Sequence, residues 1–377
     1  MKLFFIMLAA GVFATIALAA SRPPDIPFVK HTLDLGANES VAVFDINGDG
    51  KPDIVSGENW YEGPTWKKHH FRDLPYQDYY IDNFSDLPLD VNGDGAMDIV
   101  GCSWMNKRLL WFENPGHAEG VWKEHMIESG FPIEFAFLVD LENSGKARDV
   151  LPEFGDEKAP LAWYEPKNGG FVKHVVSDRS YGHGIGAGDV NGDGRTDILT
   201  PKGWFEAPAD PRNGQWKFHA DWDLGALGFI YVHDINHDGK PDIVTSMAHG
   251  YGIFWLEQGE NGKWTKHVID DSWSQSHAMT LVDLNGDGQI DLVSGKRFWA
   301  HNGHDPGSAQ PLGVYWYEYI MPKEKGGPIE WVRHVLDYGG RTGGGMQIPV
   351  VDVDGDGDLD IVVAGKSGLF LFENKTK

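Results

Sequence analysis

Asp45-Ile46-Asn47-Gly48-Asp49-Gly50-Lys51-Pro52-Asp53, running straight into Ile54-Val55-Ser56, is the first of seven copies of one pattern. The pattern is D-x-N-G-D-G-x-x-D, or a decay of it, and a short β-run follows each copy. The copies begin at Asp45, Asp90, Asp140, Asp189, Asp234, Asp283 and Asp352, with spacings of 45, 50, 49, 45, 49 and 69 residues. Recurrence in this range marks a repeat protein, each copy one supersecondary unit. A mostly apolar strand precedes each copy, as in Ser40-Val41-Ala42-Val43-Phe44. A third, aromatic strand ending in Glu follows: Trp60-Tyr61-Glu62, Trp111-Phe112-Glu113, Trp163-Tyr164-Glu165, Trp204-Phe205-Glu206, Trp255-Leu256-Glu257 and Trp316-Tyr317-Glu318. A fourth carries aromatic-x-x-His, at Trp66/His69, Trp122/His125, Phe171/His174, Trp216/His219, Trp264/His267 and Trp331/His334. Four strands per unit of about 40–50 residues is the blade of a β-propeller. The expected fold is all-β: a seven-bladed β-propeller with four-stranded blades.

The seventh unit reaches its third strand at Phe370-Leu371-Phe372-Glu373. Its fourth strand is found at the other end, where Phe28-Val29-Lys30-His31-Thr32-Leu33 fits the aromatic-x-x-His pattern. The N-terminal strand is therefore expected to close the last blade and leave no long free sheet edge. The organisation read from this is a signal peptide over 1–19 and a single propeller domain over 20–377, with an insertion in blade six at about 297–313.

Carboxylates at positions 1, 5 and 9 of the pattern, with Asn or Asp at 3, set four hard oxygen side chains around a tight turn. A backbone carbonyl near position 7 adds a fifth, a donor set that suits Ca2+. Glycines at 4 and 6 permit the positive φ that so sharp a loop needs. An EF-hand is excluded: it needs Glu at position 12, where the first copy has Ser56, and its flanks are helical. The bland alternative is a set of Asx-rich turns needing no ion. Clustered carboxylates in six loops argue against it, because unneutralised they repel.

On these motifs the chain resembles the FG-GAP/VCBS-repeat propeller family over nearly its whole length after the signal segment. That resemblance implies structural calcium, held by Asp45, Asn47, Asp49, Asp53; Asp90, Asn92, Asp94, Asp98; and Asp189, Asn191, Asp193, Asp197. The later loops supply Asp234, Asn236, Asp238, Asp242; Asp283, Asn285, Asp287, Asp291; and Asp352, Asp354, Asp356, Asp360. The third copy, from Asp140 to Asp149, is one residue longer and lacks a carboxylate at position 5, so no ion is expected there. In the fifth copy His237 replaces a glycine.

The formal charge of −24 is largely a property of these loops. They hold nineteen ligand Asp residues, and six Ca2+ would return twelve charges, leaving about −12. That balance argues against nucleic acid and anionic membranes as partners. Lys2 followed by an apolar run to Ala19 reads as a secretory signal, with small residues at Ala17 and Ala19 suiting cleavage. An uncleaved anchor is the alternative. No later segment could span a membrane, so a secreted or periplasmic monomer is expected. Cys102 is the only cysteine, which rules out an intrachain disulfide and leaves calcium as the staple.

If the loop joins the first two strands, the start of strand one and the end of strand two lie on the opposite face, around the channel mouth. Six residues before each first Asp stand Glu39, Phe84, Glu134, His183, Gly228, His277 and Met346. The ends of strand two add Glu58, Glu153, Lys202 and Lys296, with Trp104, His249 and Arg297 nearby. The insertion brings Phe298, Trp299, His301 and His304, and Tyr79, Tyr80 and Asp82 enter from the connection to blade two. Long loops on a scaffold face commonly carry function. The His of the aromatic-x-x-His strands recur and are structural; His183, His249, His277, His301 and His304 break the repeat.

A pocket of His, Lys, Arg, Tyr and carboxylate, with no Ser-His-Asp spacing or nucleophilic Cys, suits proton abstraction beside a carbonyl. His277 is the expected base, His183 its partner acid or a metal ligand, Lys296 and Arg297 the enolate stabilisers, and His301 a closing group. Tyr79, Tyr80, Trp104, Lys202, His249, Trp299 and His304 are expected to bind substrate. A further divalent metal is expected near Glu39, Glu134, His183 and His277. The blade pattern is also similar to the propeller of aldos-2-ulose dehydratases, which implies a ketosugar, or a uronate-containing oligo- or polysaccharide, undergoing dehydration or lyase chemistry. No cupin domain follows. The alternatives are a non-catalytic carbohydrate- or protein-binding propeller and a glycoside hydrolase built on Glu39 with Glu134 or Glu153.

Overall fold

A computed structural model describes residues 25–322, 324 and 327–377; residues 1–19, read above as a signal peptide, lie outside the described residues. The protein is a β-propeller of four-stranded blades, and its only described helical segments are two short 3-10 turns, Glu260–Gly262 and Ala300–Gly303. Each blade is an antiparallel meander. In the second repeat, Ser85–Leu89, Asp98–Ser103, Arg108–Glu113 and Lys123–Ser129 pair in that order. Five such sheets are separate, and a sixth of eight strands unites the four strands of repeat four with those of repeat five. A short two-stranded sheet, Tyr76–Gln77 with Tyr80–Ile81, lies in the connection to repeat two.

The eight-stranded sheet has a local cause. The inner strands Ile185–Gly188 and Leu227–His233 pair in parallel, Gly186 opposite Ile230. A Cβ on Gly186 would lie 1.9 Å from the Ile230 carbonyl oxygen. Only glycine lets the two backbones come that close.

Phe28–Asp34 pairs with Gly368–Asn374 from Phe28 opposite Asn374 to Asp34 opposite Leu369, so the N-terminal strand is the fourth strand of the last blade. Neighbouring blades are latched by a recurring triplet. Tyr61 donates to Asp34 at 2.6 Å while Lys68 donates to the same carboxylate at 2.5 Å. Tyr164 and Lys173 meet Glu128 in the same way, as do Tyr317 and Arg333 on Asp270. The aromatic-x-x-His residues are structural: each Nε2 meets the Glu ending the third strand, as in His69 with Glu62 at 2.9 Å, and all but His31, whose third strand has no Trp, stack on that strand's Trp, as in Trp60 with His69 at 4.1 Å.

The position-9 aspartates act as buried braces. Asp53 accepts the Ile46 N–H at 3.2 Å on one oxygen and the Gly63 N–H at 2.8 Å on the other. Asp149, in the repeat whose loop lacks a position-5 carboxylate, accepts the Leu141 N–H at 3.0 Å. Burial pushes both carboxyls up to about 6. His237 takes φ 55°, the conformation its neighbouring copies reserve for glycine.

Repeats one and two are joined through a fully buried ion pair, Arg72 to Asp86 at 2.6 Å, with Ser40 and Asn83 completing the carboxylate's partners. Replacing Arg72 by Ala would strand a buried charge, so a loss of about 3–5 kcal/mol is expected in urea denaturation. A loss under about 1 kcal/mol would show that Asp86 finds other compensation.

Candidate functional site

The mouth opposite the aspartate loops is built by the first residues of the inner strands. Three of these strands are bulged where they begin; one, Leu227–His233, slips between Leu227 and Ile230, around Gly228, and the other two carry functional side chains at the slip. In Ile133–Val139 the register with its neighbour slips between Ile133 and Phe135, at Glu134. In Ser276–Val282 it slips between Ser276 and Met279, spanning His277. A bulge re-aims a side chain out of strict alternation, and here it turns both residues towards one centre.

That centre gathers Glu134, His183, His249 and His277, one from each of repeats three to six, with ligand-type atoms all within 4.8 Å of one another. His183 Nε2 meets Glu134 Oε2 at 2.7 Å and His249 Nε2 at 3.0 Å. His277 Nε2 lies 3.7 Å from Glu134 Oε1. Arg297 bridges two carboxylates, donating to Glu39 at 3.1 Å and to Glu134 at 2.6 Å. Lys366 meets the other oxygen of Glu39 at 2.6 Å and stands over the Tyr80 ring at 3.8 Å.

Charge and burial compete throughout this cluster. Burial alone would raise the Glu134 carboxyl, but the charges of His183 and Arg297 hold it well below the usual carboxylate range. Burial opposes charge on His183, yet Glu134 lifts it to about 9. Burial, and then the charge on His183, brings His249 down to about 4. Burial followed by the Arg297 charge keeps His277 neutral, well below an ordinary imidazole. Burial pushes Glu153 up to about 7 and Lys366 down to about 8. Near pH 7 the cluster therefore carries a charged and two neutral imidazoles, with an excess of positive charge over Glu39 and Glu134.

Beside the cluster opens a cavity of about 400 Å³ whose lining includes Tyr80, Phe84, Trp104, Glu134, Arg297 and His301. Tyr80 donates to the Trp299 carbonyl at 3.1 Å, and burial raises its hydroxyl, so it keeps its proton. His301 and Asn302 sit at φ 47° and 54° in the turn Ala300–Gly303, and Trp299 precedes them at φ 54°. Three of the four residues Trp299 to Asn302 are thus left-handed L-residues, which cost on the order of 1–3 kcal/mol each, and such strain gathers at functional sites. Asp305 holds the turn: one oxygen takes His301 Nδ1 at 3.0 Å and the other His249 Nδ1 at 2.9 Å. The His301 and His249 rings stack at 3.9 Å.

Of the residues singled out in the sequence, Tyr80, Trp104, His183, His249, His277, Arg297, Trp299 and His301 come together at this mouth. The others stand differently. Lys296 is buried, and its ammonium is spent on Ser274 and Gln275 at 2.9 Å each, away from the cavity lining. Lys202 pairs with Glu157 at 2.9 Å on the surface. Tyr79 and His304 are exposed, Tyr79 at 71 %. Within the group at the mouth, His277 is fully buried behind the cavity and does not line it, whereas His301 does. Glu39 and Glu134 are both held on Arg297, an arrangement that ties up the carboxylate pair a hydrolase needs. Cys102 lies within the strand Asp98–Ser103, its thiol pushed far up by burial, and is inert. Sequence reasoning missed Lys366 and Asp305. Lys366 was within reach, since it stands fourteen residues after Asp352, as Arg297 does after Asp283.

Residues 234–294 match the FG-GAP-like repeat. The match covers the whole of the fifth and sixth copies of the aspartate loop, so the FG-GAP-like repeat is present in the chain. No curated protein matches the sequence. Among solved structures, BBS1N in complex with ARL6DN is similar over 93% of this chain and 96% of its own, at 10% identity and a TM-score of 0.55. The Myceliophteria thermophila Cps50 (Swd1) β-propeller domain is similar over 92% and 100%, at 9% identity and a TM-score of 0.50. An Agrocybe aegerita lectin that recognises non-reducing terminal N-acetylglucosamine covers 89% and 86%, at 18% identity and a TM-score of 0.48. At these identities the likeness is one of fold. Among the described residues no helix is long and apolar enough to cross a membrane.

Proposed function

We propose that this chain is an exported, monomeric, calcium-stabilised propeller of seven blades that acts on a saccharide at its channel mouth as a carbon–oxygen lyase. The count takes the two halves of the eight-stranded sheet as separate blades. Export rests on the character of residues 1–19. Calcium rests on the donor chemistry of the six intact loops; in the seventh repeat, ligand-type oxygens of Asp352, Asp354 and Asp356 lie within 4.8 Å of one another. When bound, the ion neutralises and fixes these loops.

The observation that carries the lyase reading is the cavity, which joins flat aromatic faces to a positively biased buried cluster and to a histidine oriented by a carboxylate. Asp305 accepts the His301 Nδ1–H, which leaves Nε2 as the basic nitrogen. His301 then removes a proton from the carbon beside a carbonyl or carboxyl group of the sugar. The electron pair forms a carbon–carbon double bond as the β-oxygen leaves, taking a proton from the protonated Tyr80. Arg297, with the surplus positive charge around it, favours the enolate. The base is thus assigned to His301, with His277 kept for the buried centre behind it.

Ketosugars and uronate-containing oligosaccharides should yield a conjugated product followed by ultraviolet absorbance, and His301→Ala should lower the rate about 10²–10⁴-fold. A second reading is favoured by the mutual pairing of Glu39, Glu134, Arg297 and Lys366, which makes the cluster self-contained: a propeller that only binds. Sugars that bind without turnover would select it.

A further inference from the structure

We infer that Glu134, His183, His249 and His277 form a binding centre for one divalent transition-metal ion of the zinc class, oriented by Asp305 from the blade-six insertion. The inference goes beyond the lyase reading and does not depend on it, since the ion is measured directly.

Each imidazole has its outer nitrogen engaged. His183 Nδ1 meets the Leu227 carbonyl at 2.6 Å, His249 Nδ1 meets Asp305 at 2.9 Å, and His277 Nδ1 faces the Gln275 carbonyl at 3.4 Å. An N–H donated outward fixes the tautomer and leaves the Nε2 lone pair for the centre, as it does in metal-ligating histidines. Three Nε2 atoms therefore converge beside one carboxylate.

Two of these contacts are poorly satisfied by protein alone. His277 is 0% exposed, and among the described residues its Nε2 has no hydrogen-bond partner. A buried polar atom left so is a pointer to a missing ion or water. His183 and His249 turn Nε2 towards Nε2 at 3.0 Å, an approach that needs a proton or a cation between two lone pairs. A proton on His183, shared with Glu134 and His249, would satisfy that pair but leaves His277 unmatched.

The donor set also selects the ion. Three imidazoles and one carboxylate suit zinc and its first-row neighbours, whereas the all-oxygen aspartate loops on the other face suit calcium. The two kinds of site should load independently. Arg297 holds Glu134 Oε1 at 2.6 Å, which directs Oε2 to the ion. The Asp305–His249 pair makes the insertion an outer support of the centre as well as a wall of the cavity.

The test uses the full chain with its loops saturated by calcium. Co2+ should bind at one equivalent and give visible d–d bands, and Zn2+ should displace it. His277→Ala should abolish the bands, and Asp305→Asn should weaken Zn2+ binding about 10–100-fold at unchanged circular dichroism. If His277→Ala does not fold, His249→Gln reads the same loss from a less buried position. The inference is overturned if no Co2+ or Zn2+ binds in excess calcium, or if the substitutions leave the affinity unchanged. Metal binding without any sugar turnover would keep the centre and remove the lyase reading.

Discussion

Deleting Phe28–Asp34 should leave the protein aggregated or largely unfolded at temperatures where the parent is native. The strand covers Gly368–Asn374, whose Leu369, Phe370, Leu371 and Phe372 are all buried. Without it, an apolar strand gains a bare edge, the form of surface that recruits other chains. The loss extends beyond one ladder. Asp34 anchors Tyr61 and Lys68 of the first blade, and His31 meets Glu373 at 2.6 Å, so two blades lose a partner together. Size-exclusion chromatography and thermal melts of the truncated chain check this. A monomer melting like the parent would show that the closing contact contributes little.

Calcium removal should have the other large effect. An ion that binds the native state alone stabilises by about 2.7 kcal/mol per site at a hundredfold excess over its Kd, and six loops share this term. EDTA should lower the melting temperature by more than about 10 °C, and calcium alone, without zinc, should restore it. An unchanged melt after verified metal removal would return the loops to Asx turns. Those turns already exist: Asp45 accepts the N–H groups of Gly48, Asp49 and Gly50. What they leave open is the mutual repulsion of the carboxylates.

The architecture was legible because it is periodic. Strand order, the closing role of Phe28–Asp34 and the structural character of the Trp–His–Glu triplets all follow from one phrase repeated with its flanks. The mouth was legible in part, because counting back from each first Asp lands on Glu39, Glu134, His183 and His277. Counting cannot see direction. Lys296 ends the strand beside Arg297, yet alternation sends its ammonium to Ser274 and Gln275. Bulges at Glu134 and His277 break that alternation, and nothing in the local composition announces them. Asp305 lay inside a stretch without periodicity, where only the folded turn shows that it faces both His249 and His301.

Glu134, His183, His249 and His277 come one each from four successive repeats. The two rims of the ring consequently follow different rules of inheritance. On the rim of aspartate loops the six intact repeats are interchangeable, and copying one of these over another changes little. On the opposite rim every repeat has its own address, and swapping, doubling or losing one would leave a sound propeller with the wrong side chains facing each other. An exchange of repeats therefore carries its cost at the mouth alone. Variants of this chain that keep every loop and still lack the centre are the expected debris of that process.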